Sequence, residues 1–553
     1  MSTPAPERPP RPSATVVIVR DGTHGLETLL LRRAERGDHN SGAWVFPGGI
    51  VDAADARCHA YCTGLDDAAA SATLGLPSGG LDYYVAAVRE CFEESGLLLA
   101  TDASGALPRL EGAEGERLGA WRTPLHRDER TLVQLCEAEG LRLAVDRLAY
   151  LSHWLTPVGR PKRFDTRFFI AEAPQGQQSA HDAAELVEQR WLRPADAMAE
   201  SAALKLMTPT LKTLEEIARF DTVEALLAWA RGPRKVTVIA PHVGRGKDGP
   251  RPVLPNEPAW AELRRIDPMG HGHGCYDIEP GVAVRLSERV IRVSANNGSV
   301  MTGPGTNTYL VGGGPRNVWA AIDPGPADPK HVEAILAAAP GPIEWIFATH
   351  THLDHSPACA LLRERTGAPI HGRLASHPEW QDAGFAPQVP LAGGERFELD
   401  GATITAIHTP GHASNHLCYR LEEEKLLFTG DHLMQLSTVV INPPDGDMAA
   451  YLASLRSLLD EDLEWLAPGH GFLMPEPCRA IEAVIAHRLR REDKVLGVLR
   501  ALGQARIEAI LAKVYDDVPE RMHPVALRSL RAHLIKLRDE GRAVEADGRW
   551  APR

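Results

Sequence analysis

The chain has 553 residues, a formal net charge of −13, 44% hydrophobic and 24% charged residues. That length exceeds a single domain on a soft prior of about 150 residues each, and the composition is ordinary for a globular protein, which excludes fibrous and low-complexity classes. The acidic balance excludes a generic polyanion binder. No apolar run approaches the ~18 residues needed to span a bilayer, and eight cysteines without a CxxC pair suit free thiols in a reducing compartment, so the expected setting is cytoplasmic with no membrane partner.

Residues 1–13 are rich in proline and lack the apolar core of a signal peptide, so a disordered lead-in is expected. Residues 14–19, ATVVIV, read as a strand, and 27–31 as its partner across a Gly turn. WVFPGGIVD, 44–52, is a strand breaking into a Gly-Gly loop, followed by an irregular stretch over 53–80. Next, YYVAAVRECFEESGLLL predicts a helix with Val85, Val88 and Phe92 on one face. Glu90, Glu93 and Glu94 stand at i, i+3 and i+4 on another face, and Gly96 fits the helix stop. Three close carboxylates repel one another unless a cation neutralises them, and oxygen ligands suit Mg²⁺ or Mn²⁺. A solvated acidic face is the competing reading; Arg89 and the Gly-Gly loop favour the metal. Cys58, His59 and Cys62 lack a second ligand pair and read as packing or surface residues. A closing helix over 211–230 and a strand over 236–239 complete this part.

FPGG together with RECFEESG resembles the Nudix box, split between its Gly and Arg-Glu halves, with Asp55 where the first half would carry a Glu. The resemblance implies an α/β/α sandwich over 14–240. It makes Glu90, Glu93 and Glu94 metal ligands, with Glu90 and Arg89 in catalytic roles, Arg89 orienting the carboxylates. The implied reaction is attack of water on a diphosphate that links a nucleoside to another group. The split box and RFDTRFFIA, 163–171, resemble the coenzyme A diphosphatase-like branch, which LLLRRAERGDH, 29–39, matches in part. A small, coenzyme A-like diphosphate is the implied partner.

Residues 241–280 are dense in Gly and Pro and read as a linker, with His271 and His273 as loop residues. The apolar run 345–348 then enters THTHLDHSP, which sets His350, His352, Asp354 and His355 on a strand-to-helix loop; Ser356-Pro357 reads as N-cap and first helical residue. Imidazole and carboxylate at this spacing suit zinc or a similar divalent ion better than a polar surface loop. His412, Asp431 and His470 each follow an apolar run and stand beside a Gly, as loops at strand ends do. Asp323 follows Ala320-Ala321-Ile322 in the same way and reads as a carboxylate that orients a ligand.

In this order the segments resemble the metallo-β-lactamase superfamily over 281–487. The resemblance implies an αββα sandwich with two Zn²⁺, one held by His350, His352 and His412, the other by Asp354, His355 and His470, with Asp431 bridging and Asp354 also accepting a proton. SVMTGPGTNTYLVG, 299–312, is similar to the subgroup containing a β-lactamase-like endoribonuclease. The short interval from Asp431 to His470 leaves no room for a β-CASP insertion.

From 488 to 553 the chain carries 15 Lys and Arg against 10 Asp and Glu. Leu527, Leu530, Leu534 and Leu537 form an apolar helical stripe opened by Pro524, and 543–550 reads as a hairpin. This resembles the winged-helix domain appended to that subgroup. Arg528, Arg531 and Lys536 would supply phosphate contacts, unless the module instead packs over the active-site mouth. The expected whole is a multidomain α/β and α+β protein, a two-headed hydrolase. Its second head would take an RNA-like phosphodiester or an ester; the alternatives are a thioesterase resembling glyoxalase II and a nucleic-acid-binding regulator with vestigial sites.

Overall fold

Strand β1 (Arg11–Gly22) holds Val16, Val17, Ile18 and Val19 fully out of solvent. Such a run is buried on both faces and belongs at the centre of a sheet. The structure, a computed structural model, describes residues 9–35, 41–180, 186–378, 380–435 and 437–553. It divides into two units, 1–242 with 269–271 and 243–268 with 272–553.

In the first unit β1 pairs antiparallel with β2 (Gly25–Arg33), and β2 in turn with β3 (Trp44–Val45); β4 (Gly48–Ile50) pairs with β1. Helix α1 is Asp67–Leu74 and helix α2 is Gly80–Ser95, ended by Gly96 at φ 74°. Strands β5 (Ala149–Leu155), β6 (Phe164–Glu172), β7 (Leu186–Leu192) and β8 (Val238–Ile239) complete an eight-stranded sheet, in which β6 runs parallel to β1. That pairing starts at Arg11, opposite Phe164, so the strand begins before the expected residue 14. Residues 1–8 of the expected lead-in lie outside the described residues.

The stretch 53–80 is less irregular than its sequence suggests, since it holds a 3₁₀ turn over Asp55–Tyr61 and α1, capped by Asp66. Val85, Val88 and Phe92 of α2 pack with Ala14, Val16, Ile18 and Leu29, and Cys58 and Cys62 lie in the same core. The single helix expected over 211–230 is two, α3 (Thr208–Ile217) and α4 (Val223–Arg231). The break is capped: Thr222 accepts from the Ala225 amide, and Asp21 accepts from the Val223 amide at 3.0 Å.

The second unit differs from a plain linker at its start. Helix α5 (Trp260–Ile266) buries Glu262, which receives Arg292 in a two-pronged ion pair at 2.7 and 2.9 Å. Next comes a seven-stranded sheet in sequence order: β9 (Ala283–Arg285), β10 (Val290–Ser294), β11 (Asn307–Gly312), β12 (Trp319–Ile322), β13 (Ile343–Phe347), β14 (Ile370–Gly372) and β15 (Val389–Pro390). Helices α6 (Pro329–Ala338) and α7 (Ala358–Thr366) cover its outer face. A six-stranded sheet follows, also in sequence order: β16 (Arg396–Glu398), β17 (Thr403–His408), β18 (Leu417–Leu421), β19 (Leu426–Gly430), β20 (Trp465–Pro468) and β21 (Met474–Pro475).

Tyr309, Val311 and Phe347 of the first sheet meet Ile404, Tyr419 and Phe428 of the second in one apolar layer. Helices α8 (Met448–Ser457) and α9 (Pro477–Leu502) cover the outer face of the second sheet. The result is the expected αββα sandwich.

Helix α9 runs unbroken through the 487/488 boundary read from the sequence. Its C-terminal half joins α10 (Ile507–Val514), α11 (His523–Asp539) and the hairpin β22 (Ala543–Ala546) and β23 (Arg549–Pro552) around Leu530, Leu534, Leu537 and Trp550. On its other side α11 packs Ala532 against the sandwich. No helix among the described residues is long and apolar enough to cross a membrane.

Candidate metal centres

Strand direction delivers the second unit's polar residues to one edge. β12 and β13 run parallel, as do β19 and β20, so the loops leaving these strands all emerge on the same side. Asp323 follows β12, His350 to His355 follow β13, Asp431 follows β19 and His470 follows β20. His412 lies beyond β17.

Two groups result. His350, His352 and His412 form one, Asp354, His355, Asp431 and His470 the other; within each, the ligating atoms lie within 4.8 Å of one another. In the first, His352 Nδ1 lies 3.0 Å from both His350 Nε2 and His412 Nε2. In the second, Asp431 Oδ1 is 3.3 Å from both His355 Nε2 and His470 Nε2, and Asp354 Oδ2 is 3.4 Å from His470 Nε2. The other oxygen of Asp431 lies 3.7 Å from His412 Nε2, which puts this one carboxylate between the groups.

The remaining ring nitrogens of His412, His470 and His355 are held from outside. Val440 accepts from His412 Nδ1 at 2.7 Å, and Gly305 accepts from His470 Nδ1 at 3.1 Å. Asp323 accepts from His355 Nδ1 at 2.8 Å, and its two oxygens also take the Thr349 amide and hydroxyl at 2.7 Å each. Its backbone sits at φ 49°, a left-handed conformation that these contacts stabilise. A Cβ on Gly469 would stand 2.8 Å from Asp431 Oδ1 and from His355 Cε1. Only glycine lets the chain pass so close to both.

The donor set fits divalent cations. His355 Nε2 and Asp431 Oδ1 are buried and have no hydrogen-bond partner, a state that costs about 1–3 kcal/mol per group unless a ligand takes them. Burial and the adjacent imidazoles push His350 well below the usual histidine range, and burial and His412 push His352 down to about 3. Both therefore offer neutral nitrogen lone pairs. Burial would raise the Asp354 carboxyl, but His355 and His470 outweigh it and keep the group anionic; His470 and His355 hold Asp431 well below the carboxylate range in the same way.

Two residues of this centre escaped the sequence reading: Thr349, which hydrogen-bonds Asp323 and lies 3.0 Å from His350 Nδ1, and His432, fully buried beside His416. Thr349 could have been suspected from its place in the ligand loop; nothing in the pattern marked His432. His416 is stacked on His350 at 5.1 Å and bonded to the Thr409 hydroxyl, so it packs behind the ligands.

In the first unit α2 carries Glu90, Glu93 and Glu94, but the three carboxylates do not gather into one tight group. Among the described residues, only the two groups above do so. Arg89 lies among them, donating to Glu90 at 2.8 Å and approaching Glu93 at 3.5 Å, while its other nitrogens hold Asp55 at 2.9 and 3.2 Å. Glu94 accepts the Gly48 amide at 2.8 Å. The Gly-Gly loop runs against this face: a Cβ on Gly49 would come within 2.2 Å of Glu90. Burial raises Glu90 and pushes Glu93 up to about 8, the response of carboxylates that need a cation or a proton to be buried together. Their oxygens fit a hard cation in kind.

In the tail, Arg528 and Arg531 are exposed. Lys536 is not a surface cation: it pairs with Glu492 at 2.9 Å and Glu540 at 2.7 Å.

Comparison with known proteins agrees with this geometry. A family model of the metallo-β-lactamase superfamily matches residues 301–470. A Drosophila melanogaster protein, "Beta-lactamase-like protein 2 homolog", is 32% identical over 271 residues, spanning 47% of this chain and 90% of that one. The chain belongs to the metallo-β-lactamase superfamily. An Aspergillus chevalieri "Atrochrysone carboxyl ACP thioesterase" is 32% identical over 281 residues, 48% of this chain and 87% of that one. A solved metallo-β-lactamase family protein from Thermus thermophilus shares 21% identity at a TM-score of 0.42, covering 49% of this chain and 100% of that one.

Two further models match, the NUDT19 Nudix domain over 65–220 and the β-lactamase-associated winged helix domain over 507–550. Nudix domain, metallo-β-lactamase fold and winged helix thus follow one another, and the chain is a hydrolase.

Proposed function

We propose that the metallo-β-lactamase unit hydrolyses a small thioester or ester with an apolar portion. The Nudix unit, in this reading, hydrolyses a diphosphate of the coenzyme A type with Mg²⁺ or Mn²⁺ at Glu90, Glu93 and Glu94. The supporting observation is a cavity of about 490 Å³ that opens on His352, Asp354, His412 and Asp431. That volume is in the range of small-molecule sites. Val439, Val440, Val525 and Ala526 line it, and Val300, Met301, Leu353 and Trp380 stand exposed at the same cavity. Contiguous exposed apolar groups mark a binding surface, and the α11 side chains make the winged helix one wall.

His350, His352 and His412 would hold one Zn²⁺, and Asp354, His355 and His470 the other, with Asp431 shared. When bound, such ions lower the pKa of water from about 15.7 toward ~7 and polarise a carbonyl. The chain's own contribution is positional. Asp323, Val440 and Gly305 fix the imidazoles, and Asp354, which lines the cavity, stands where a carboxylate can take a proton from the attacking water. The products would be an acid and a thiol or alcohol.

A phosphodiester substrate, as in the endoribonuclease subgroup, is the second reading, favoured by exposed Arg528 and Arg531. A panel of acyl thioesters, esters, single-stranded RNA and coenzyme A, run with metal analysis on wild type and His350→Ala, separates the two. Thioester or ester turnover that vanishes in the variant is expected; RNA cleavage without it would reject the first reading.

A further inference from the structure

The far wall of the same cavity is cationic: Arg488, Arg491 and Arg528 line it, and of these Arg491 is paired with Asp517 whereas Arg488 and Arg528 have no ion pair among the described residues. Arg488, in the middle of α9, is 3% exposed and lines the cavity. One of its Nη groups donates to the Val439 carbonyl, its guanidinium lies 5.5 Å from the Tyr451 ring, and its Nε has no acceptor. No ion pair reaches it among the described residues.

The nearby acids are committed elsewhere. Glu492 takes Lys536 and Arg542 at 2.9 Å each, and Asp517 takes Arg491 at 2.8 Å. A buried charge without a partner is costly. Arg528 of α11, also on the cavity, sits over Trp380 at 5.5 Å and likewise has no ion pair among the described residues. The cavity's own carboxylates are Asp354 and Asp431 at the ligand end and Asp445, whose oxygens accept from Ser414 and Gln381.

We propose that Arg488 and Arg528 receive an anionic group of the substrate, a carboxylate or a phosphate distal to the scissile carbonyl. This rests on the thioester or ester reading above. The winged helix then sets specificity by closing the pocket with a cation, and the substrate class narrows to acyl compounds with an anionic arm.

The test compares three probes: the N-acetylcysteamine thioesters of pentanoate and of glutarate, and pentanoyl phosphopantetheine. The second places a carboxylate on the acyl side and the third a phosphate on the thiol side. Loss of one charge-assisted hydrogen bond corresponds to a factor on the order of 10–100. The ratio of kcat/KM for an anionic probe over the neutral one should therefore fall by that factor in Arg528→Gln. It should fall by a smaller one in Arg488→Lys, which keeps the charge but loses the guanidinium fork, and should not change in Arg500→Gln on the same helix. Which probe is preferred identifies the arm.

Because Arg488 is buried, Arg528→Gln decides if Arg488→Lys does not fold. Equal turnover of all three probes by wild type, or a preference unchanged in Arg528→Gln, overturns the proposal and leaves the thioester reading standing. Should no probe be hydrolysed, calorimetric binding of glutarate and phosphopantetheine decides: binding lost in Arg528→Gln sustains the anion site while the thioester reading falls, and no binding removes both.

Discussion

Asp323 governs the centre without entering the cavity. Its carboxylate joins the Thr349 amide, the Thr349 hydroxyl and His355 Nδ1, so one side chain fixes both the start of the ligand loop and the orientation of a ligand ring. An amide in its place can accept from Thr349, but its NH₂ end would face the His355 N–H. Asp323→Asn should therefore lower metal affinity about 10–100-fold, the usual effect of removing such a partner. The loss should be confined to the Asp354, His355 and His470 group. Competition titration with a chromophoric chelator measures this; two unchanged binding steps would show that Asp323 serves only the backbone.

At the scale of elements, chain order and side-chain period told most of the story. The ligand-bearing strands were legible because each is an apolar run that stops at a Gly or a polar residue, so the residues after it had to lie at a sheet edge. Helix α5 was not, because it is flanked by Gly and Pro and its anchor, Arg292, lies on a strand 30 residues away. The 211–230 helix was overextended: the Thr222 N-cap is a local signal that the expected single helix ran through, while the reach of Asp21 to the Val223 amide is a tertiary fact. The stripe of α11 was legible, yet the fate of Lys536 was not, since Glu492 that neutralises it belongs to another helix.

That same Glu492 gives the tail an acid-sensitive clasp. Burial would raise its carboxyl, but His533 and Lys536 outweigh burial and hold it down to about 2, against 4.5 ordinarily. A depressed folded value stabilises above the unfolded value and is lost as pH falls. The stability difference between wild type and Glu492→Gln should be largest above pH ~4.5, on the order of 2–3 kcal/mol, and shrink steadily toward pH ~2. Urea titrations of both proteins across that window check it; a difference independent of pH would assign the stabilisation to packing.

For the whole molecule, the decisive feature is that each candidate set lies within its own unit. Glu90, Glu93, Glu94, Arg89 and Asp55 all belong to residues 1–242, whereas the seven His and Asp side chains belong to 272–553. Their chemistry also differs. The first set is oxygen alone with an arginine inserted, and suits a hard cation. The second is rich in nitrogen and would suit a borderline cation such as Zn²⁺. Removing one ligand should then silence one reaction only. Glu93→Gln removes a carboxyl that burial keeps protonated until a cation binds, so the proposed diphosphate hydrolysis should drop on the order of 100-fold. Metal binding by the second set and the proposed thioester or ester turnover should be unaffected. His350→Ala should do the reverse, weakening metal binding by the imidazole group while the proposed diphosphate hydrolysis is unchanged. Metal content by mass spectrometry and both assays on each purified variant give three readings per variant. Loss of both activities in either variant, with the fold intact by circular dichroism, would mean that the two sites are coupled rather than merely fused.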